Sequence, residues 1–287
     1  MKQVRPKKNL GQHFLTDLNI AKAIADTVDA CPDLPVLEVG PGMGVMTQYL
    51  VEKPRPFKVV EIDRESVAYL QEHFPEFTRK EERGTRNEEG GTRKELPREI
   101  ISADFLRMDL REVFDGQQFV LTGNYPYDIS SQIFFKMLDN KDLIPCCTGM
   151  IQHEVALRMA SRPGNKQYGI LSVLIQAWYH VEYLFTVEPG VFNPPPKVQS
   201  AVIRMTRNEV TDLGCDEKLF RRVVKTSFNQ RRKMLRVSLR QLFNGEQTAS
   251  PHFFEDPMMT RRPEQLSIQE FVELTNKVEK EMLSDTI

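Results

Sequence analysis

The feature that most constrains this chain is an apolar strand that runs straight into a glycine turn. Pro35-Val36-Leu37-Glu38-Val39 leads into Gly40-Pro41-Gly42-Met43-Gly44, and a helical pattern through Val45, Tyr49 and Leu50 follows. Glycines let the backbone reverse tightly and come close to a ligand. A strand-turn-helix of this kind belongs at the carboxyl edge of a parallel sheet, where open α/β folds bind nucleotides. A second strand, Lys58-Val59-Val60-Glu61-Ile62-Asp63, places the Glu61 carboxylate about twenty residues on, where a ribose hydroxyl pair is gripped. A third, Ile100-Ile101-Ser102-Ala103, delivers Asp104, whose carboxylate suits the amino group of an adenine ring. Each acid alone reads as a solvated strand end. Three such signals at successive strand ends predict a nucleoside site on a Rossmann-like sheet.

The glycines do not spell G-x-G-x-x-G, and no phosphate loop ending in Lys-Ser or Lys-Thr is present. The pattern is instead E-x-G-x-G-x-G from Glu38 to Gly44, which fits S-adenosylmethionine, a cofactor with an adenosine but no pyrophosphate to anchor. Further along, Phe119-Val120-Leu121-Thr122-Gly123 is an apolar strand that ends in Asn124-Tyr125-Pro126-Tyr127. The Asn124 side-chain oxygen and a backbone carbonyl of Tyr125 or Pro126 are two acceptors for an exocyclic amine, and Tyr127 is a flat platform for the ring that bears it. A methyl donor beside an amine socket predicts N-methylation of adenine.

In these motifs the chain resembles the ribosomal RNA adenine dimethyltransferase family acting on the small ribosomal subunit. The resemblance also rests on Lys8-Asn9-Leu10-Gly11-Gln12-His13-Phe14-Leu15, on Gln152-His153-Glu154-Val155-Ala156, on residues 191–202 with their Asn193-Pro194-Pro195-Pro196 core, and on residues 228–236. These blocks cover nearly the full length. Two positions depart from the family pattern: His13 stands where Asn is usual, and Tyr125 where Leu is frequent. The resemblance implies a SAM-dependent methyltransferase sheet closed by an antiparallel hairpin, followed by a small all-α domain. It implies a cofactor site built from His13, Leu15, Gly40, Gly42, Glu61, Asp104 and Asn124. It implies a catalytic set of Asn124, Tyr125, Pro126 and Tyr127, with Phe192 on the opposite face of the target base. The implied activity is N6,N6-dimethylation of two adjacent adenines in the 3′-terminal hairpin loop of small-subunit rRNA, within a pre-30S particle. Two alternatives stand beside it: a large-subunit rRNA adenine methyltransferase, and a ribosome-assembly factor acting mainly by binding immature subunits.

Net charge is −1 over 287 residues, so attraction to RNA has to come from charge distribution. Lys218, Arg221, Arg222, Lys225, Arg231, Arg232, Lys233, Arg236 and Arg240 follow one another with no acid between them. Apolar Leu219, Val223, Val224, Phe228, Met234, Leu235 and Leu239 recur among them at helical spacing, which predicts two helices with exposed basic faces. Lys7 and Lys8, with Lys2 and Arg5, form a second basic patch. His153-Glu154 looks like an acid-base pair, but Glu154 is spaced to pair with Arg158 and is read as structural.

Residues 1–207 are expected to form the cofactor-binding domain and residues 208–287 the helical RNA-binding one. Pro251, Pro257 and Pro263 cut the latter into short pieces, and 267–282 has the pattern of an amphipathic closing helix. Residues 79–99 are polar and glycine-containing and read as a mobile insertion. Cys31, Cys146, Cys147 and Cys215 lack metal-ligand or disulfide-framework spacing and are expected to be reduced, with no metal bound. No apolar stretch is long enough to span a membrane and no leader pattern opens the chain, which predicts a cytoplasmic protein; a monomer is expected.

Overall fold

The structure is a computed structural model and describes residues 7, 13–78, 96–243 and 249–284. In chain order the first elements are β1 (Phe14–Leu15), α1 (Leu18–Asp26), β2 (Val36–Val39), α2 (Thr47–Leu50), β3 (Phe57–Glu61), α3 (Arg64–His73) and β4 (Arg98–Ser102). They are followed by β5 (Val120–Thr122), α4 (Ser130–Asp139), β6 (Cys146–Gln152), α5 (His153–Ala160), α6 (Ile170–Gln176), β7 (Tyr179–Val187), β8 (Phe192–Asn193) and β9 (Ser200–Arg207). The remainder is helical: α7 (Glu217–Asn229), α8 (Leu235–Ser238), α9 (Pro251–Glu255) and α10 (Ile268–Ser284).

Seven strands form one sheet in the order β4-β3-β2-β5-β6-β9-β7. The first five run parallel, and β9 meets β6 in antiparallel register from Cys146↔Thr206 to Gln152↔Ser200. β7 and β9 are neighbours that make the closing hairpin expected from the sequence. β2 and β5 are buried throughout, as strands covered on both faces must be, and carry one polar residue each, Glu38 and Thr122. Two short segments far apart in sequence, β1 and β8, pair antiparallel outside this sheet.

The chain divides into two compact units. The first holds residues 1–156 and 182–207, the second 157–181 and 208–287. Residues 157–181, grouped with the first domain on sequence grounds, cluster with the C-terminal helices because α6 buries Val173, Leu174 and Ile175 in a core shared with α7. Within the second unit α7 buries Phe220, Val223, Val224, Ser227 and Phe228, one stripe at i, i+3, i+4, i+7 and i+8. Asp216 caps it by accepting from Leu219 N at 2.6 Å. Pro251 opens α9, and Pro257 and Pro263 each open a short 3₁₀ turn, which is the fragmentation the prolines predict.

Two expectations need correction. Cys31 and Cys146 are not free thiols: they form a disulfide bridging 115 residues, with Cα atoms 5.8 Å apart, between the turn after α1 and the start of β6. Sequence spacing missed it because the sheet, not local sequence, brings them together. Cys147 and Cys215 are unbridged. The insertion also ends earlier than residue 99. Arg98 and Glu99 belong to β4 and pair with Phe57 and Lys58, and Arg98 is anchored by hydrogen bonds to the carbonyls of Val51 (2.9 Å) and Lys53 (3.0 Å). Residues 79–95 lie outside the described residues, as do Lys2, Arg5 and Lys8 of the head patch. Among the described residues no helix is long and apolar enough to cross a membrane.

Candidate functional site

Strands β2 and β5 are neighbours at the centre of the sheet. From β2 the chain steps outward through β3 and β4, and it then returns to build β5 and β6 on the other side. At such a reversal the connections after the two central strands diverge and leave a crevice at their carboxyl ends. The glycine turn follows β2 and the Asn124 block follows β5, so the topology alone brings the two motifs together. Between them lies a cavity of about 260 Å³. All the residues assigned to the cofactor line it: His13, Leu15, Gly40, Gly42, Glu61, Asp104 and Asn124.

The glycine turn has positive φ at Gly40 (67°), Gly42 (56°) and Gly44 (77°). Gly44 is needed twice over, because a Cβ there would also stand 2.4 Å from the Phe74 ring. The buried Glu61 carboxylate accepts from Gly42 N (3.1 Å) and Asp63 N (2.8 Å). Burial raises its pKa although both amides favour the charged form. Asp63 caps α3 and pairs with Lys7 at 2.5 Å, and Glu65 lies 3.4 Å from the same ammonium. For Asp63 burial works against ionisation, but the Lys7 bond, the Glu65 amide and the Ser66 hydroxyl outweigh it and lower the pKa. Lys7, assigned to RNA, therefore serves at least partly as the counter-charge of this corner.

The residues read as an amine socket, Asn124, Tyr125, Pro126 and Tyr127, line the same cavity. Asn124 Nδ2 donates to His13 O at 3.4 Å, which leaves its oxygen as the acceptor available to a ligand. The Tyr125 ring itself does not enter the site. It turns into the core, 1% exposed, where its hydroxyl donates to Thr148 O (3.0 Å) and its ring meets Phe134 edge-on. Room for it exists because residue 149 is glycine: a Cβ there would lie 2.7 Å from the Tyr125 ring and 2.3 Å from Gly123 O. The Leu-to-Tyr departure is thus absorbed below the sheet, and what faces the ligand is backbone.

Tyr127 is half-buried, hydrogen-bonded to Ser200 Oγ, and stacked with His13 at a centroid distance of 5.6 Å and 29° between planes. His13 Nδ1 is 2.8 Å from Pro194 O, so this nitrogen carries the proton. The other family departure therefore puts an imidazole against the platform tyrosine. Phe192 is placed differently from the expectation that it flanks the target base. It is 4% exposed, opposite Leu15 in the β1–β8 pair and packed in the hydrophobic core, and it does not line the cavity.

Sequence reasoning left two residues of this site unassigned. Ser200 was visible only as part of the 191–202 block, and its partnership with Tyr127 depends on β9 lying against β6. Glu38, the first letter of the glycine motif, lines the cavity floor while 2% exposed. Thr47 Oγ1 donates to it at 2.7 Å, yet burial pushes its pKa up to about 8.

In the second unit, Arg222, Lys225, Arg232, Lys233, Arg236 and Arg240 are exposed, and Arg221 is half-buried. Helix α7 ends at Asn229, so Arg231, Arg232 and Lys233 sit in the turn before α8 and not on a helix face as expected. Arg231 is tied back to Asn165 O (3.3 Å) and lies 3.6 Å from the Glu264 carboxylate.

Comparison with known proteins places these features in context. The family model described as Ribosomal RNA adenine dimethylase matches residues 3–280. The Ribosomal RNA small subunit methyltransferase A of Phocaeicola vulgatus is 64% identical over 283 residues, covering 99% of this chain and 93% of that protein. Its counterpart in Flavobacterium johnsoniae is 50% identical, covering 97% and 98%. Among solved structures, a dimethyladenosine transferase from Plasmodium falciparum superposes with a TM-score of 0.72 at 21% identity, over 94% of this chain and 98% of that one. The 23S rRNA methyltransferase ErmE gives 0.58 at 24% identity, over 93% and 99%. At these identities the two structures speak to the fold alone.

Proposed function

This chain belongs to the ribosomal RNA adenine dimethylase family, and from that premise we propose that it dimethylates N6 of two adjacent adenines in the 3′-terminal hairpin loop of small-subunit rRNA, acting on a pre-30S particle. One observation carries the residue assignment: a single cavity runs from the glycine turn and Glu61 to Asn124 and Tyr127. This cavity fits S-adenosylmethionine, because it offers a glycine cradle, a buried carboxylate for a hydroxyl pair and a second carboxylate for an amine, with no lysine or arginine among the described residues that line it. Glu61 would hold the ribose, Asp104 the adenine amine, and Gly40 and Gly42 would let the backbone approach. When bound, the cofactor supplies a sulfonium-linked methyl group electrophilic enough that its acceptor needs no prior deprotonation.

The chain's own task is then geometric. Adenine N6 is a weak nucleophile because its lone pair is delocalised into the ring. The Asn124 oxygen and the backbone carbonyl of Tyr125 or Pro126 accept its two hydrogens and favour a pyramidal nitrogen with an exposed lone pair. Tyr127, braced by Ser200 and backed by His13, supports the ring. Extruding a base costs a few kcal/mol, least in a loop, and stacking on an aromatic returns about 1–3 kcal/mol. The basic turn and helices of the second unit hold the RNA backbone. Transfer of labelled methyl groups to small subunits lacking the modification, followed by mapping of the labelled nucleotides, tests the proposal. Label on any other RNA would overturn it.

A further inference from the structure

Asp104 is carried on a tight turn that is closed by its own hydrogen bonds, has Arg107 Nε 3.3 Å from Asp104 Oδ2, and is braced from outside the cavity. Its Oδ1 accepts from Leu106 N at 2.9 Å, and its carbonyl accepts from Arg107 N (3.0 Å) and Met108 N (3.1 Å). Asp104, Phe105 and Leu106 all line the cavity. Behind them, Lys136 on α4 reaches across more than two dozen residues of sequence. Its Nζ donates to Leu106 O at 3.1 Å and to Met108 O at 2.5 Å, and it lies 5.6 Å from the centroid of the Phe105 ring. One ammonium thus holds both carbonyls and an aromatic face of the segment that presents Asp104. Lys136 does not itself line that cavity.

We infer that Lys136 is a positioning residue for the methyl-donor site: through Leu106, Met108 and Phe105 it fixes where Asp104 presents its carboxylate, and so sets how strictly the site selects an amino-purine over an oxo-purine nucleoside. The inference rests on the reading of Asp104 as the acceptor for the cofactor's adenine amine. A carboxylate is an acceptor only. It rewards the amine of adenine and is left facing the carbonyl oxygen of hypoxanthine, provided that it cannot swing away. An ammonium suits this task because it has three donors on one atom and can serve two divergent carbonyls while lying against a ring. A methionine would fill the same volume and satisfy neither carbonyl.

Calorimetric titration of the full-length protein with S-adenosylhomocysteine and with S-inosylhomocysteine tests this without any methyl transfer. The wild type should prefer the adenosyl ligand on the order of a hundredfold or more, as sites built on a buried polar contact do. Lys136→Met should narrow that preference by roughly a factor of ten or more, chiefly by weakening the adenosyl ligand, and Lys136→Arg, which keeps paired donors, should restore most of it. Lys136→Gln, with a single amide to offer, should fall between and serves as the informative variant if the methionine protein does not fold. A full preference retained in both Lys136→Met and Lys136→Gln would show the lysine to be structural only and would refute the inference. A wild-type preference near one, unchanged by Asp104→Ala, would instead remove the premise about Asp104.

Discussion

In the proposed reaction Asn124 starts with one half of its amide already engaged. Its nitrogen donates to the His13 carbonyl, and its oxygen remains for a target amine. Asn124→Ala should therefore abolish methyl transfer, a loss of at least a thousandfold in kcat, while leaving S-adenosylhomocysteine affinity within a few fold. Parallel loss of binding and turnover would show that the residue only shapes the strand end. Glu38 makes a second prediction at this scale. A carboxyl whose pKa rises from 4.5 to about 8 on folding holds its proton more tightly in the folded state. Its contribution therefore favours the folded form at low pH and fades as pH climbs from about 4.5 through about 8. Glu38→Gln keeps the acceptor for Thr47 and cannot ionise. The variant should lose this decline, gaining on the order of a few kcal/mol over the wild type above pH 8 in denaturant titrations run across the pH range. A wild-type and variant difference that is flat with pH would contradict the assignment. That Glu61, Asp104 and Asn124 line one cavity was foreshadowed in the sequence, because each follows or ends a strand at the same edge of the sheet. Lys136, Ser200 and the inward course of Tyr125 were not, because each depends on a partner supplied by another element.

At the scale of elements, strand β6 is shaped around the Tyr125 ring. Gly149 lies mid-strand at a φ of 147°, with the Gly123 carbonyl where its Cβ would go. Gly149→Ala should destabilise the protein by about 3 kcal/mol or more, because the nearest obstacle is backbone and cannot rotate aside. Adding Tyr125→Leu should recover only part of that loss, since it relieves the clash with the ring and not the one with the carbonyl. Equal stability of Gly149→Ala and wild type in chemical denaturation would mean that β6 can shift. The turn after α7 offers a second test. Arg232 and Lys233 are exposed there, whereas Arg231 is held by Asn165. Replacing Arg232 and Lys233 with Ala should weaken small-subunit RNA binding and reduce the slope of log affinity against log salt by roughly 0.7–0.9 for each phosphate that is no longer neutralised. Replacing Arg231 should act mainly through stability. The apolar stripe of α7 was legible in outline, because burial enforces a period of 3.6: Val223, Val224 and Phe228 are buried as read, but the stripe begins at Phe220 and not at Leu219, and it includes Ser227. Where the helix stops was not legible: the charge run continues through residues 231–233 without any change in composition.

For the whole molecule, the Cys31–Cys146 bridge closes a loop of more than a hundred residues within the first unit. Denatured without reductant, the protein should titrate two thiols, Cys147 and Cys215, and with reductant all four. Reduction should cost about 2–5 kcal/mol of stability, visible as a lowered melting temperature. The order of β and α segments and the parallel sheet followed from strand-turn-helix patterns along the chain, whereas the late hairpin was what the family resemblance implied. The grouping of 157–181 with the C-terminal helices did not, because it is decided by which surface covers α6 and not by anything within that segment.

The pairing of Phe14 with Asn193 and of Leu15 with Phe192 has a consequence for biosynthesis. The segment bearing His13 and Leu15 is made well before its strand partner and the Pro194 carbonyl that orients the imidazole, which emerge some 180 residues later. A nascent chain arrested before residue 190 can have its glycine turn and its Asn124 block in place and still lack this clasp. Ligand affinity should then switch on late in translation, when the proline-rich turn leaves the exit tunnel and fastens the head of the polypeptide over a half-built pocket.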